Sequence, residues 1–474
     1  MNDIKESRIA ESSETPSSTG IQLSYTVGNF LITFVGVVFD TRTFIFYETE
    51  VGLPVLYILA SFIIYGIWNM VNDPFIGYLS DKPNRLWKRW GRRFPWIIVG
   101  AILYCIFFLL LFAPPNVDPV KDTLILFLWL TIITCLVDFF LSMWNVNFSA
   151  QAPDRFRSQK ERTKVGGIGT ILGLLGVAIG VLIPPLFITY GDKQSYFTAA
   201  GIITMVGIIC VILMIPGTRE NQIMIDRAMQ LVSEGIKEEQ KESFWKVLRF
   251  ALRKRNFMAF VIAYTCWQIL VVVMVASIPY LNQYILKQPA SSEVFLTAGV
   301  LVGSLVSVPL WVMIARKKGN RLTFFIGFIV TAAAAIPLLF VSDVLGAFIS
   351  TLLVGVGIGA TYAISLAMLS DVLDEIVVER KRREEGIFLG IRTFFMRLSY
   401  ISQAIIFTTV HIATGFNPVP GAPQTPLAIW GIRVHTALIP IIIILIGGII
   451  FWKYCDLIPE KVDDIRTKLK ELQL

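Results

Sequence analysis

The chain has 474 residues, of which 55% are hydrophobic and only 16% are charged, and its formal net charge is +8. Its mean hydropathy is +0.67. A soluble protein of this size needs more polar residues to cover its surface, so the composition excludes that class and predicts an integral membrane protein. The polar N-terminal segment has no apolar core and no cleavage site, which indicates a cytosolic tail rather than a signal peptide.

Apolar segments long enough to cross a bilayer recur along the whole chain. A membrane-spanning helix takes about 20 apolar residues, and prolines near the segment ends are typical helix breakers. The pattern predicts twelve spans, at 23–47, 53–79, 96–114, 122–150, 165–189, 195–216, 257–286, 294–315, 321–341, 344–370, 387–414 and 433–454.

Basic residues are concentrated in every second loop. Arginines and lysines fill the loops after spans two, four, eight and ten, whereas the alternate loops carry few cations. Positive loops mark the cytosolic side of a membrane protein, so both termini are predicted to be cytosolic. The surplus positive charge is therefore a topological signal, and nucleic acid is not expected as a partner.

A long charged segment divides the spans into two halves of six. The halves are weakly similar, since GYLSDKPNRLWKRWGRR follows span two and WVMIARKKGNR follows span eight. Internal repeats of this kind are typical of secondary transporters that alternate about a central site. The predicted domains are a cytosolic N-terminal tail (1–22), an N-terminal six-helix bundle (23–216), a cytosolic middle loop (217–256), a C-terminal six-helix bundle (257–454) and a cytosolic C-terminal tail (455–474).

Polar side chains repeat at helical spacing inside four of the spans. In span two, Asn69, Asn72 and Asp73 are three and four residues apart and so share one helix face. Because polar groups are unfavourable in lipid, each such stripe must face protein or water. The other stripes are Thr26, Asn29, Thr33, Gly36 and Asp40 in span one, Cys135, Asp138, Ser142, Asn145 and Ser149 in span four, and Thr393, Arg397 and Tyr400 in span eleven.

Asp138 and Arg397 lie near the middle of their spans, at similar depth. They either face each other across a water-filled cavity or form a buried ion pair that only fixes helix packing. Several separate polar stripes favour the cavity. Asp40 shares the stripe of Thr33 and is a candidate for the same cavity, whereas Arg42 points elsewhere and can extend to the membrane surface.

No catalytic constellation is recognisable. The two histidines, His411 and His435, belong to no HExxH motif, and the five cysteines lack metal-ligand spacing. An enzyme is therefore not expected, and we predict neither catalytic residues nor a cofactor. A sensor built on a transporter scaffold is also disfavoured, because the tails are short.

The motif NDPFIGYLSD, followed by KRWGRRFPWIIVG, resembles the glycoside–pentoside–hexuronide:cation symporters, a branch of the major facilitator superfamily. The similarity continues through DRFRSQKERT and SLAMLSDVLDEIVVERKRREEGIFLG, so it covers both halves. It implies an all-α major facilitator fold, with twelve transmembrane helices in two pseudo-symmetric six-helix bundles and both termini in the cytosol. We expect a monomer in the plasma membrane that binds a small-molecule substrate and a coupling cation.

The resemblance also implies site residues. The family's cation site falls on Asp73, Asn72 and Asn69, with Cys135 adjoining, and Asp73 is the expected contact for Na⁺. The substrate site would comprise Asp138, Arg397, Thr393 and Thr33, with Asp40 as the further candidate from span one.

This chain departs from the family pattern at several of these positions. Asn69 stands where members that use sodium typically have a second aspartate. Thr33 replaces an acidic residue, Cys135 replaces a threonine and Arg397 replaces a lysine. The coupling ion is therefore Na⁺ or H⁺, and a galactoside is not a secure choice of substrate.

The predicted function is cation-coupled symport of a sugar or sugar derivative by alternating access. The alternative is symport of a lysolipid or another amphipathic or anionic solute on the same scaffold, since an arginine fork suits carboxylates, phosphates and sulfonates. Charges at the cytosolic helix ends are predicted to form a gate, or else they only determine topology. They are Asp81 with Arg85, Arg92 and Arg93, and Asp371 with Arg383.

Overall fold

The computed structural model describes residues 17–81, 87–233, 244–381 and 385–472, and these contain helices and no strand. Eleven helical segments within them are long and apolar enough to cross a membrane. The α-helices of eight or more residues are α1 (Thr19–Ile45), α2 (Val55–Ser80), α3 (Phe94–Leu111), α4 (Thr123–Arg155), α5 (Gln159–Leu182), α6 (Lys193–Thr218), α7 (Gln222–Ser233), α8 (Phe244–Arg253), α9 (Arg255–Tyr280), α10 (Glu293–Lys318), α11 (Asn320–Ala335), α12 (Val344–Arg380), α13 (Glu385–Met396), α14 (Leu398–Thr414), α15 (Pro426–Arg433), α16 (Ile439–Tyr454) and α17 (Pro459–Glu471).

The predicted eleventh span, 387–414, consists of two shorter helices, α13 and α14, that meet at Arg397. The amide N–H of Arg397 donates to the Thr393 carbonyl at 3.2 Å, and the amide of Tyr400 donates to the Arg397 carbonyl at 3.3 Å. The second bond reaches back three residues instead of four, so this turn is tightened. The expectation of one continuous helix is thus corrected at a single residue, and the backbone hydrogen bonds continue across the junction.

Local capping signals in the sequence explain where several helices begin. Ser158 precedes α5, and its Oγ accepts the amide N–H of Glu161 at 3.2 Å, three residues on. The same hydroxyl lies 3.2 Å from Glu161 Oε2, so the two side chains of this S-x-x-E pattern contact each other. Asp343 starts α12 in a similar way, because its carboxylate accepts the amide N–H of Gly346 at 2.8 Å.

The helices form two compact units. The first contains residues 1–47, 67–188 and 192–240, and the second contains 48–66, 189–191 and 241–474. The first 12 residues of α2 belong to the second unit and the remainder to the first. In the first unit α1 packs against α5 and α6, and α3 packs against α4 and α6.

The second unit is organised around α12. This helix packs against α10 and α11, while α9 packs against α14 and α16. The α10–α12 contact is close because glycine lies where the backbones approach: a Cβ added to Gly303 would lie 2.0 Å from the carbonyl oxygen of Leu352. Small residues allow this approach between membrane helices, where dispersion contacts replace the hydrophobic effect as the driving force.

Segments predicted as a loop and a tail also contain helices. The middle loop, 217–256, includes α7 and α8, and the C-terminal tail, 455–474, includes α17. Ile465 and Leu469 of α17 are buried, and the helix packs on α12. The boundaries of the predicted domains stay a prediction.

Replacing Gly303 by valine should destabilise the protein, because the new side chain cannot fit between α10 and α12. Overpacking of this kind costs about 1–3 kcal/mol, so the thermal unfolding midpoint in detergent should fall by several degrees. Gly201→Val is the matched control, since no heavy atom lies within 4 Å of a Cβ at that position. Equal midpoints for the two variants would contradict the assigned helix contact.

Candidate cation and substrate sites

The polar stripes of α2 and α4 face each other in the first unit. Asp138 Oδ1 accepts a hydrogen bond from Asn69 Nδ2. Asn72 Nδ2 lies 3.1 Å from Asp138 Oδ2 and 3.0 Å from the Asp138 carbonyl oxygen. Asp138 is only 2% exposed and Asn72 only 1%. Two amide donors therefore orient one buried carboxylate, as buried polar groups require.

A second carboxylate lies in the same helix contact. Ser142, one turn after Asp138 on α4, donates from Oγ to Asp73 Oδ1 at 2.5 Å. Trp68 Nε1 donates to the carbonyl oxygen of Cys135 at 3.1 Å. These contacts and the two asparagine contacts define the α2–α4 seam, which consists of Trp68, Asn69, Asn72, Asp73, Cys135, Asp138 and Ser142. The structure thus brings the four predicted cation-site residues into one seam, with Asp138 among them.

Within the seam the grouping differs from the predicted one. Asn69 and Asn72 are expected to share a cation with Asp73, whereas their amide N–H groups donate to Asp138. The register of α2 against α4 explains this, because Asp138 is the carboxylate opposite both amides. The assignment of Asp73 to the cation and of Asp138 to the substrate stays a prediction.

The seam is rich in oxygen atoms that suit a small hard cation or a proton. Two carboxylates contribute, and the amide oxygen of Asn72 is buried with no hydrogen-bond partner among the described residues. Hard cations take carboxylate, amide and hydroxyl oxygens as ligands. No cluster of three or more His, Cys, Asp or Glu side chains suited to a metal occurs in the described part of the chain, so a cation here would depend on amide and hydroxyl oxygens as well.

A cavity of about 580 Å³ lies in the first unit among α1, α4 and α5. Its wall is largely apolar, and Arg162 is the one charged side chain among the residues that line it. The lining residues are Tyr25, Asn29, Ile32, Thr33, Phe148, Ser149, Ala152, Pro153, Phe156, Arg162, Val165, Gly166, Gly169, Thr170 and Gly173. The cavity therefore offers a mainly apolar wall and a single cation.

Thr33 lines this cavity, but its hydroxyl is already used in helix packing. Its Oγ donates to the Gly173 carbonyl at 2.7 Å and lies 3.0 Å from the Asn29 carbonyl. Thr33 can therefore contact a substrate through its methyl group, or through its hydroxyl oxygen as an acceptor. Asp40 lies half-buried on α1, two turns beyond Thr33, and is not among the residues that line the cavity.

The remaining substrate candidates belong to the second unit. Thr393 is half-buried on α13, and its Oγ donates to the Leu389 carbonyl one turn earlier at 3.0 Å. Arg397 is half-buried at the junction of α13 and α14. A pairing of Arg397 with Asp138 stays a prediction.

Three of the predicted gate residues form an ion cluster in the first unit. Arg92 lies 2.5 Å from Asp81, and Arg93 lies 3.9 Å from the same carboxylate. Burial and the neighbouring Arg92 lower the pKa of Arg93, while Asp81 and Glu220 partly offset this. An arginine retains its charge in proteins under these conditions. Arg85 lies outside the described residues, so its predicted contact with Asp81 is not described.

Glu220 organises the same region. Its carboxylate accepts the amide N–H groups of Arg92 at 2.9 Å, Arg93 at 2.7 Å and Phe94 at 3.1 Å, where α3 begins. A carboxylate is favourable there because the first amides of a helix have no partner within the helix and carry partial positive charge. Gly91 is required beside it, since its φ is +89° and a Cβ would lie 2.5 Å from a carboxylate oxygen of Glu220.

The sequence did not single out Glu220. The residue follows span six at the start of a charged segment. In such a segment the sequence does not distinguish a carboxylate that caps a helix from one that is exposed to solvent. Only its distance from α3 reveals the role, and no local sequence signal carries that information.

Asp371 has partners other than the predicted one. It is buried on α12, with Asn320 Nδ2 at 2.6 Å and an Arg466 guanidinium nitrogen at 3.2 Å. Arg466 is on α17, so the C-terminal helix is bound to the end of α12. Arg383 lies outside the described residues.

A second polar group binds α17 to the same unit. Lys461 lies 2.6 Å from Glu375 and 2.7 Å from Asp456, and Asn256 Nδ2 donates to Asp456 at 2.7 Å. Burial tends to lower the pKa of Lys461, but the hydrogen bonds that it donates to Asp456 and Glu375 outweigh this effect and raise that pKa. The lysine is thus positively charged at neutral pH and fixes the start of α17.

Comparison with known proteins identifies the family. Residues 24–455 match the model of the family described as MFS/sugar transport protein. The chain belongs to this family. The predicted membership among the symporters of the major facilitator superfamily is confirmed, and the chain is an integral, multi-pass membrane protein with the fold of a secondary transporter.

Individual relatives have low sequence identity to this chain but align with more than half of it. Over 459 residues the chain is 21% identical to sodium-dependent lysophosphatidylcholine symporter 1 of Xenopus tropicalis, covering 88% of this chain and 82% of that protein. It is 24% identical to the lactose permease of Lactobacillus delbrueckii subsp. bulgaricus over 270 residues, or 55% of this chain and 40% of the permease. The solved structure of the nucleoside transporter NupG matches with a TM-score of 0.65 at 11% identity, covering 92% of this chain and 99% of that one. The predicted major facilitator fold is confirmed by this match.

Glu220→Gln should lower the thermal unfolding midpoint. The glutamine keeps the size of the side chain but loses the charge and one of the two acceptor oxygens that bind three amides. Hydrogen bonds to a charged group contribute about 1.5–3 kcal/mol each, so the shift should exceed that of an exposed carboxylate. Asp226→Asn is the control, because Asp226 is exposed and bonded to Gln222 one turn away. A shift no larger than in the control would argue against the capping role.

Proposed function

We propose that this chain is a cation-coupled symporter in which Asp138, together with Asp73, binds the coupling cation. The observation that supports this most directly is the position of Asp138, a 2% exposed carboxylate in the membrane-spanning helix α4. A negative charge there is unfavourable unless a cation or a proton accompanies it. The asparagine amides orient the carboxylate without cancelling its charge, because they are neutral.

Sodium is the proposed coupling ion. The seam offers carboxylate oxygens, the amide oxygen of Asn72 and the hydroxyl of Ser142, which are oxygen ligands of the kind that alkali cations accept. The relative from Xenopus tropicalis is named as sodium-dependent, which supports the same choice. A proton on Asp138 or Asp73 is the competing possibility, and the gradient experiment below separates the two.

The proposed substrate is an amphipathic solute with one apolar chain and an anionic or zwitterionic head. The cavity among α1, α4 and α5 supports this, because its wall is largely apolar and Arg162 provides one positive charge for a head group. A relative that aligns over most of both chains, from Xenopus tropicalis, is named as a lysophosphatidylcholine symporter. A single-chain phospholipid is therefore the first substrate to test.

A sugar is the second candidate. The matching family is described as a sugar transport family, and lactose permease aligns with just over half of the chain. A neutral sugar needs many hydrogen-bonding groups, since its hydroxyls lose water on binding. In the cavity of the first unit several such groups already donate to backbone carbonyls, namely the hydroxyls of Thr33 and Thr170 and the side-chain amide of Asn29.

Coupling follows from the requirement that a ligand shifts an equilibrium only between states that it binds differently. In the proposed cycle the cation at Asp138 relieves an unfavourable buried charge, and the solute then occupies the cavity. Movement between inward and outward states requires both ligands, as in transporters built from two repeats. The Asp81–Arg92 ion pair would be broken and re-formed in that cycle.

Asp138→Asn should abolish uphill transport driven by sodium. Purified protein is reconstituted into liposomes, and movement of fluorescent lysophosphatidylcholine is read by extraction with albumin. An imposed sodium gradient should increase uptake by wild type and not by the variant, with a loss of at least about tenfold, equivalent to about 1.4 kcal/mol. Asp226→Asn, an exposed carboxylate, is the control.

The imposed ion gradient identifies the coupling ion, and a comparison of lysophosphatidylcholine with lactose identifies the solute. Acceleration by a proton gradient alone would replace sodium by H⁺ at the same carboxylate. Sodium-driven lactose uptake without lysophosphatidylcholine transport would establish the second candidate and reject the first. Sodium-driven uptake that survives in Asp138→Asn would overturn the proposed cation site, whichever solute is carried.

Gly166→Trp tests the cavity. Gly166 lines it and has no heavy atom within 4 Å of a Cβ, so an indole can occupy the space without displacing the helices. We expect lysophosphatidylcholine transport to fall at least about tenfold while the thermal unfolding midpoint stays near that of wild type. Gly201→Trp, at an open position outside the cavity, is the matched control. Transport that is unchanged in Gly166→Trp would show that the solute does not use this cavity.

A further inference from the structure

Both histidines of the chain lie in one buried polar cluster of the second unit. The rings of His411 and His435 are 5.1 Å apart, and the two side chains are 3% and 0% exposed. They come from different helices, since His411 is on α14 and His435 is between α15 and α16. Their proximity is therefore a feature of the fold and not of the sequence.

A carboxylate completes the cluster. His411 Nδ1 lies 2.7 Å from Glu48 Oε1, and the hydroxyl of Tyr280 donates to Glu48 Oε2 at 2.5 Å. Glu48 is only 2% exposed. Both oxygens of the carboxylate thus accept hydrogen bonds, as an ionised carboxylate does, and His411 carries its proton on Nδ1.

The hydrogen bonds of Ser277 fix the other ring. Its Oγ donates to the carbonyl oxygen of Val273 at 2.7 Å and lies 2.8 Å from His435 Nδ1. A serine hydroxyl has one proton, which here goes to the carbonyl, so the oxygen accepts from His435 Nδ1–H. In a neutral imidazole the other nitrogen, Nε2, is then a base.

The Nε2 atoms of both His411 and His435 are buried and have no hydrogen-bond partner among the described residues. With neutral rings and an ionised Glu48, these three side chains carry one net negative charge away from water. One proton on either Nε2 would neutralise this charge. The imidazolium would then be His411, which contacts Glu48 directly, or His435, whose ring centroid lies 5.1 Å from that of His411.

Aromatic rings border both imidazoles. Phe416 stacks on His411 with ring centroids 4.4 Å apart, and Phe407 lies 4.6 Å from His435. The faces of aromatic rings attract cations. The Tyr280 ring lies 5.2 Å from His411 and 5.6 Å from His435, so it borders both imidazoles.

Backbone geometry supplies an independent indication of function. Three π-helical turns occur around the cluster: Phe46–Glu50 contains Glu48, Val434–Leu438 contains His435, and Leu281–Ile285 follows Tyr280 directly. Such turns insert a residue into a helix and are frequent at functional sites. Here they accompany three of the side chains that form the cluster.

The other charged or titratable groups near these elements have contacts of their own. Glu50 accepts the amide N–H of Gly191 at 3.3 Å, and Arg433 donates to a backbone carbonyl at 2.8 Å. Glu293, on α10, accepts a hydrogen bond from the hydroxyl of Tyr190. Two further groups are Tyr284, whose ring packs on Phe416, and Arg42, a buried residue with partners of its own.

We propose that Glu48, His411 and His435 form a proton-binding site, in which one proton is held by the two imidazoles beside the carboxylate. The site is composed of other residues than Asp73 and Asp138, so its proton is additional to the coupling cation. Proton uptake converts the cluster from one negative charge to zero, with the proton on a ring nitrogen and no change in any covalent bond between heavy atoms.

Nuclear magnetic resonance of histidine tests this directly, because the chain has only two histidines. The full chain is labelled with ¹⁵N-histidine, purified through a tag that lacks histidine and placed in lipid nanodiscs. Between about pH 8 and about pH 5, the range in which histidine changes charge, at least one imidazole should pass from the neutral to the protonated chemical shift. Rings that keep neutral shifts throughout this range in wild type would overturn the proposal.

Variants then test the role of the carboxylate. In Glu48→Gln the cluster is neutral before it takes up a proton. Protonation would then create an unpaired buried charge, so the midpoint of the histidine titration should move to a pH at least about one unit lower. Glu50→Gln removes a carboxylate two residues away and should titrate like wild type. A Glu48→Gln protein that titrates like wild type would also overturn the proposal. The wild-type measurement tests the proposal even where a variant fails to fold. The titrations of wild type and of the variants do not require the transported solute to be known.

Discussion

A polar side chain inside the bilayer has to be matched by another polar group, and this requirement joins α2 to α4. Asp138 is matched by the amides of Asn69 and Asn72, and Asp73 by the hydroxyl of Ser142. All three donors are neutral. Their hydrogen bonds fix where the carboxylates point and add no positive charge.

The same requirement applies to the backbone where membrane helices begin. The first amides of α3 have no carbonyl partner within the helix, and Glu220 provides the acceptor from a distant part of the chain. In the second unit the acidic end of α12 is bound to Arg466 of α17 through Asp371. Carboxylates thus have two roles here: at helix ends they satisfy donors and fix structure, and at mid-span they are candidates for ion binding.

Sequence patterns located the helices well because length, hydropathy and helical period are local properties. The stripe of Asn69, Asn72 and Asp73 does lie on one face, and that of Cys135, Asp138 and Ser142 meets it. Which amide donates to which carboxylate depends on the register between two helices, and no single-helix pattern contains it. The hydroxyl of Thr33 illustrates the same limit, since a helix stripe cannot reveal that a carbonyl on α5 already accepts its proton.

Sequence patterns also did not predict the local departures from regular helix geometry. The tightened turn at Arg397 and the π-helical turn around His435 lie in segments for which hydropathy alone predicts an uninterrupted apolar helix.

The two carboxylate sites differ in the chemistry of their donors, and this difference separates what they can bind. An amide cannot take up a proton near neutral pH, so the asparagines leave Asp138 itself, or a cation beside it, as the place where charge is compensated. An imidazole can take the proton itself, so in the cluster of His411, His435 and Glu48 the partner rather than the carboxylate is the group that changes charge. Under the two proposals, the chain binds a cation where asparagines orient a carboxylate, and it responds to pH where histidines lie beside one.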